Sequence, residues 1–130
     1  MNDRGWKILF AVAALYNFAA GLPPLLAPEQ ALTMFGMAAQ ANYFFVQLSG
    51  AIIATFGIFY ALVAVDLSRR EIPAVGIVGK LAAFALVLIY FVNGQVAIAP
   101  FILGIGDVVF VLFFAWFLLG GRKAGASSAK

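Results

Sequence analysis

With 130 residues, 65% of them hydrophobic, 15% aromatic and only 10% charged, the chain has a mean hydropathy of +1.08. That excludes a water-soluble globule, whose outer surface so few charged side chains could not coat. Histidine and cysteine are absent, which excludes disulfides, thiolate chemistry, iron–sulfur clusters and nearly all haem, zinc and di-iron centres, so no cofactor and no metal site is expected. The net charge of +3 is no nucleic-acid signature, because the basic residues flank apolar runs; membrane lipids are the expected surroundings.

A bilayer core of about 30 Å needs about 20 apolar residues in a helix. The first such run extends from about Ile8 to Leu26, preceded by Arg4 and Lys7 and closed by Pro23-Pro24, which end or kink a helix by removing donors. A cleaved secretory signal is the alternative here, but Tyr16 and Asn17 interrupt the apolar stretch and no small-x-small cleavage site follows it. In the next segment Glu29, Thr33, Gly36 and Gln40 share one helical stripe, with Leu32, Phe35 and Met37 largely opposite. This pattern predicts a short helix lying on the outer membrane surface. The second span runs from Tyr43 to Val65 and the third from Ala74 to Val92, with Ser68 and Glu71 at capping-box spacing between them and Pro73 acceptable in a first helical turn. The fourth span runs from Ile98 to Leu119, and the small, polar tail 124–130 is expected to be disordered. The reading is one all-α domain over residues 1–130, an antiparallel four-transmembrane-helix bundle.

Arg4, Lys7, Arg69, Arg70, Arg122, Lys123 and Lys130 all fall on one side of this arrangement, and the other two loops carry no Lys or Arg. Both termini are therefore expected in the cytoplasm. Trp6 and Trp116 fall near the inner boundary and Tyr43 and Tyr90 near the outer one, where interfacial aromatic anchors belong.

Polar residues inside the spans are few and expensive, so they carry the functional argument. Lys80 lies about 10 Å and Asp107 about 18 Å above the inner boundary at the helical rise of 1.5 Å per residue. A lysine stem spans that gap, which predicts a Lys80–Asp107 ion pair, with a water bridge as the fallback. Asn17 lies between them in depth, and Gln47 lies nearer the outer side, where it is expected to support the network from above. Such a pair can serve only to fix helix register. It can also supply a carboxylate that exchanges a proton during transport. A third arrangement has Lys80 snorkelling to the headgroups and Asp107 protonated or paired elsewhere. Gly50, Ala54, Gly57 and Ala61 form a small-residue seam on span two, fit either for the bundle interior or for a homodimer contact. The phenylalanines of span four, Phe110, Phe113, Phe114 and Phe117, read as packing or lipid-facing residues.

Tyr16-Asn17 before the proline-ended first helix, Gln47 with Gly50, Tyr60 to Asp66 leading to Arg69-Arg70, Gly79-Lys80-Leu81 and Gly106-Asp107 together resemble small bacterial four-span membrane proteins of the DoxX-like kind. The resemblance covers nearly the whole chain. It implies a four-helix bundle in a bacterial inner membrane, with no established catalytic residues. Small multidrug exporters have similar size and span number, but the carboxylate expected in their first helix is missing here.

The scarcity of reactive groups favours a non-enzymatic accessory or interaction protein, acting as a homo-oligomer or within a larger membrane complex. The alternative is a small proton-coupled transporter working as a homodimer through Asp107 and Lys80, with Asn17 and Gln47 along the path. A membrane enzyme acting on a lipid or quinone would have to depend on Asp107, Lys80 and tyrosines.

Overall fold

The computed structural model describes residues 1–121; the expected disorder of 124–130 lies outside the described residues. Five helices follow in order: α1 (Asp3–Leu26), α2 (Pro28–Met34), α3 (Phe44–Val65), α4 (Glu71–Val92) and α5 (Ile98–Trp116), the last continued by a π-helical turn over Phe117–Gly121. No strand occurs among the described residues. Four of the helices are long and apolar enough to cross a membrane, which makes this a multi-pass helical bundle.

Local chemistry explains where the elements begin and end. The first helix starts earlier than its apolar run because the Asn2 side chain accepts from the Gly5 amide at 2.8 Å and caps the free N–H groups there. It then carries through Pro23 and Pro24 to Leu26, where the Ala27 amide still donates to the Pro23 carbonyl. The expected capping box before α4 does not form. Asp66 captures Ser68 instead, accepting both from its amide at 3.0 Å and from its hydroxyl at 2.7 Å, because a carboxylate two residues away makes a charge-assisted bond with both Ser68 donors. Pro73 stands in the first turn of α4, where its missing N–H costs nothing. A helix does follow Ala27, and its Ala31 and Leu32 are buried, so one side of α2 closes on the bundle. The segment after it is stitched to the start of α5: the Ala97 amide donates to the Phe35 carbonyl at 2.9 Å. Gly36 turns there with φ 68°, and a Cβ at that position would meet Ala97.

The helices associate as two tight pairs. The first is α1 with α3, in which Gly21 meets Gly50 and Ala54 while Ala14 and Phe18 meet Gly57. The second is α4 with α5, where Phe91 stacks on Phe101 at 4.5 Å between centroids and Phe84 covers Gly104. Between the pairs, at the end carrying the amino terminus, sits an aromatic core of Trp6, Phe10, Tyr60, Phe114 and Phe117, all essentially without exposed surface. Phe10 and Phe114 stack at 5.1 Å, and Tyr60 leans on Phe114 at 5.0 Å. Trp6 therefore departs from its expected place among interfacial anchors. It is fully buried, donates Nε1–H to the Gly121 carbonyl at 3.3 Å, and meets Trp116 and Phe117 edge-on. The indole N–H finds its acceptor in the turn Phe117–Gly121 that continues α5, so water is not needed to satisfy it. Trp116, by contrast, is about half exposed, as is Tyr90.

Candidate functional site: an intramembrane cavity above a buried ion pair

Where the aromatic core stops, the two helix pairs leave a cavity of about 560 Å³ between them. Its walls come from all four long helices, with Leu32 of α2 and the following Phe35 and Met37 reaching over it from the loop. The volume lies within the range of about 300–1,000 Å³ typical of small-molecule sites, and the mainly apolar lining with a few convergent polar groups is their usual composition.

The polar groups gather at the end of the cavity nearest the aromatic core. Lys80 is buried, with 6% of its surface exposed, and its Nζ donates to Asp107 Oδ1 at 2.5 Å and to Asn17 Oδ1 at 3.1 Å. Asn17 is held in turn by its own amide, which donates to the Ile53 carbonyl of α3 at 3.1 Å. One network thus ties α1, α3, α4 and α5 together at a single depth. Three rings close round the ammonium: Tyr16 and Tyr60 at 5.6 Å and Phe110 at 5.4 Å from Nζ to the ring centroid. A desolvated ammonium facing aromatic rings is attracted to their negative faces, each contact worth about 0.5–2 kcal/mol. Tyr16 is fixed by donating its hydroxyl to the Leu103 carbonyl at 2.5 Å.

Tyr16 and Tyr60 fit because the opposing helices carry no side chain where they lie. The Tyr60 phenol rests against Gly76, and the Tyr16 phenol against Gly106, next to Asp107 in the chain. This aromatic enclosure is the part of the site that sequence reasoning did not assemble. The signal available was the pair of glycines flanking the charges, Gly76 one turn before Lys80 and Gly106 just before Asp107.

Gln47 does not join the network. Its amide donates to the Leu25 carbonyl at 3.1 Å, one of the helix-end carbonyls of α1 that lack an intrahelical partner. That local acceptor wins over a distant ion pair, and Gln47 acts as a tie between α3 and the end of α1. The seam residues Gly50, Ala54 and Gly57 face α1, which fills that groove, while Ala61 packs against the aromatic core.

Asp107 differs from Lys80 in one respect that matters for chemistry: 20% of its side chain is exposed, against 7% for Lys80, and both line the cavity. The floor therefore presents a carboxylate whose charge is balanced from behind. Among the described residues no group of three potential metal-ligating side chains comes together. No protein-family model, curated protein or solved structure matches this chain.

Proposed function

We propose that this chain is a non-enzymatic accessory protein of a bacterial inner membrane whose work is to hold a small, mostly apolar molecule in the cavity above Lys80 and Asp107. The observation that carries this reading is a cavity of about 560 Å³ whose apolar walls converge on a satisfied ion pair. A pair needed only for helix register would be better served by filled packing, since a void beside it forfeits dispersion contacts. We place the chain in the bilayer as an antiparallel four-helix bundle of the DoxX-like kind, with both termini cytoplasmic and α2 on the outer surface. The distribution of Lys and Arg and the order of contacts along the helix pairs support that orientation. The least covered helix is α4, whose Val75, Val78, Leu86 and Ile89 are exposed. That face supports assembly with a second copy or within a larger complex. Proton-coupled transport is the second reading, supported by the partial exposure of Asp107 to the cavity.

Native mass spectrometry of the protein released gently from its own membrane tests the binding reading. Wild type is expected to retain a small molecule beyond bulk detergent and lipid. The Ala20→Phe variant, which places a ring in the cavity wall, is expected to lose at least nine-tenths of it while keeping the wild-type oligomer mass. Equal retention by both, or none by wild type, overturns the reading.

A further inference from the structure

The cavity is not closed on all sides, and exposed residues of α3 and α4 line it at the depth of the ion pair. Gly79 adjoins Lys80 in the chain, and Ile52 adjoins Ile53, whose carbonyl holds Asn17. Both line the cavity and both are exposed. One turn further along, Ser49 and Ala83 are likewise both cavity-lining and exposed. A Cβ placed on Gly79 would meet nothing within 4 Å, so α4 has open space beside it there. The contact that closes these two helices, Tyr60 against Gly76, lies one turn nearer the amino-terminal end. A slot between two apolar helices at mid-depth opens onto acyl chains, not onto water.

The electrostatics of the floor restrict what enters. Lys80 and Asp107 are the charged residues of the lining, and their charges cancel. An anionic headgroup would have to displace Asp107 from the ammonium, and a cationic one would have to displace Lys80 from the carboxylate. Either exchange strands a buried charge. A neutral head strands nothing. Asp107 accepts from Lys80 through Oδ1 and keeps exposed surface on the cavity, so Oδ2 is the acceptor left for a ligand. Such an acceptor in an apolar site selects a hydrogen-bond donor.

We infer that the cavity takes a neutral lipophile with a hydroxyl head, which enters from the bilayer through the slot between α3 and α4 and donates its hydroxyl to Asp107. This rests on the ligand-binding reading above and adds to it the ligand class and the route.

The test uses the full chain in phosphatidylethanolamine–phosphatidylglycerol vesicles and a sixteen-carbon alcohol carrying a diazirine near its hydroxyl, photolysed at intervals and mapped by peptide mass spectrometry. Labelling is expected on Tyr16, Phe56 and Tyr60 at the cavity floor. Unlabelled hexadecanol should compete at least tenfold better than hexadecyl sulfate or hexadecyltrimethylammonium. Gly79→Trp and Ala83→Trp, which place an indole in the slot, are each expected to slow labelling at least tenfold, while Leu112→Trp, at an exposed position of α5 outside the cavity lining, leaves it unchanged. Size-exclusion profile and helical circular dichroism identify any variant that fails to fold, and the two tryptophan variants guard each other. Labelling confined to lipid-facing residues, equal competition by either charged amphiphile, or wild-type rates in both tryptophan variants overturns the inference. If native mass spectrometry still finds a retained molecule, the broader binding reading survives that failure; if wild type retains nothing, both fall.

Discussion

Asp107→Leu is expected to destabilise the folded chain by about 3–5 kcal/mol, the usual consequence of removing one partner from a buried ion pair and stranding the other. The stranded group is the Lys80 ammonium, 7% exposed at its side chain. Asn17 and three aromatic rings still face it, but none supplies a compensating negative charge. Lys80→Met should cost less, because the carboxylate it strands is the more exposed of the two groups, 20% against 7% at the side chain. The double variant Lys80→Met/Asp107→Leu should recover wild-type stability or exceed it, since an apolar pair of similar volume avoids the desolvation of both charges. Reversible unfolding of the detergent-solubilised protein, compared across the four proteins, measures this. A double variant as unstable as Asp107→Leu alone would mean that the ion pair itself holds the bundle together. Recovery of stability with loss of the retained ligand would separate the pair's structural role from its part in binding.

Gly50→Ala and Gly21→Ala are expected to pry α1 from α3. A Cβ on Gly50 would stand 2.6 Å from the Gly21 carbonyl oxygen and 2.6 Å from the Leu25 amide nitrogen; one on Gly21 would stand 2.6 Å from the Ala54 amide nitrogen. The opposing atoms are backbone, so no rotamer change relieves the clash and the helices must separate. Overpacking of this kind costs about 1–3 kcal/mol, and two facing backbones put these variants at the upper end. Gly57→Ala should be milder, because much of what it meets, at 3.0 Å and beyond, is the movable ring of Phe18. Gly79→Ala is the control: with nothing within 4 Å, it should be neutral or gain up to about 1 kcal/mol from helix propensity. The same unfolding assay ranks all four. Equal losses at Gly79 and Gly50 would show that loss of glycine itself, not the close crossing, sets the effect.

Much of the architecture was legible before any coordinates. Apolar runs of membrane-spanning length announced four long helices, and the scarcity of polar groups within them singled out Lys80, Asp107 and Asn17. Depth along a helix follows from counting residues at a fixed rise, so the approach of Lys80 to Asp107 was calculable from the chain alone. Rotation about the helix axis was not calculable in the same way. Polar residues mark the outer face of a soluble helix, but here lipid and interior are both apolar, and the pattern that tells one side from the other is nearly erased. Hence the tertiary structure alone decided that Trp6 turns inward to Gly121, that Gln47 ties to Leu25 and leaves the network, and that α1 fills the seam of Gly50, Ala54 and Gly57. It alone decided the cavity as well, because an empty volume arises where four helices fail to meet, and no residue in the sequence encodes a gap between its neighbours.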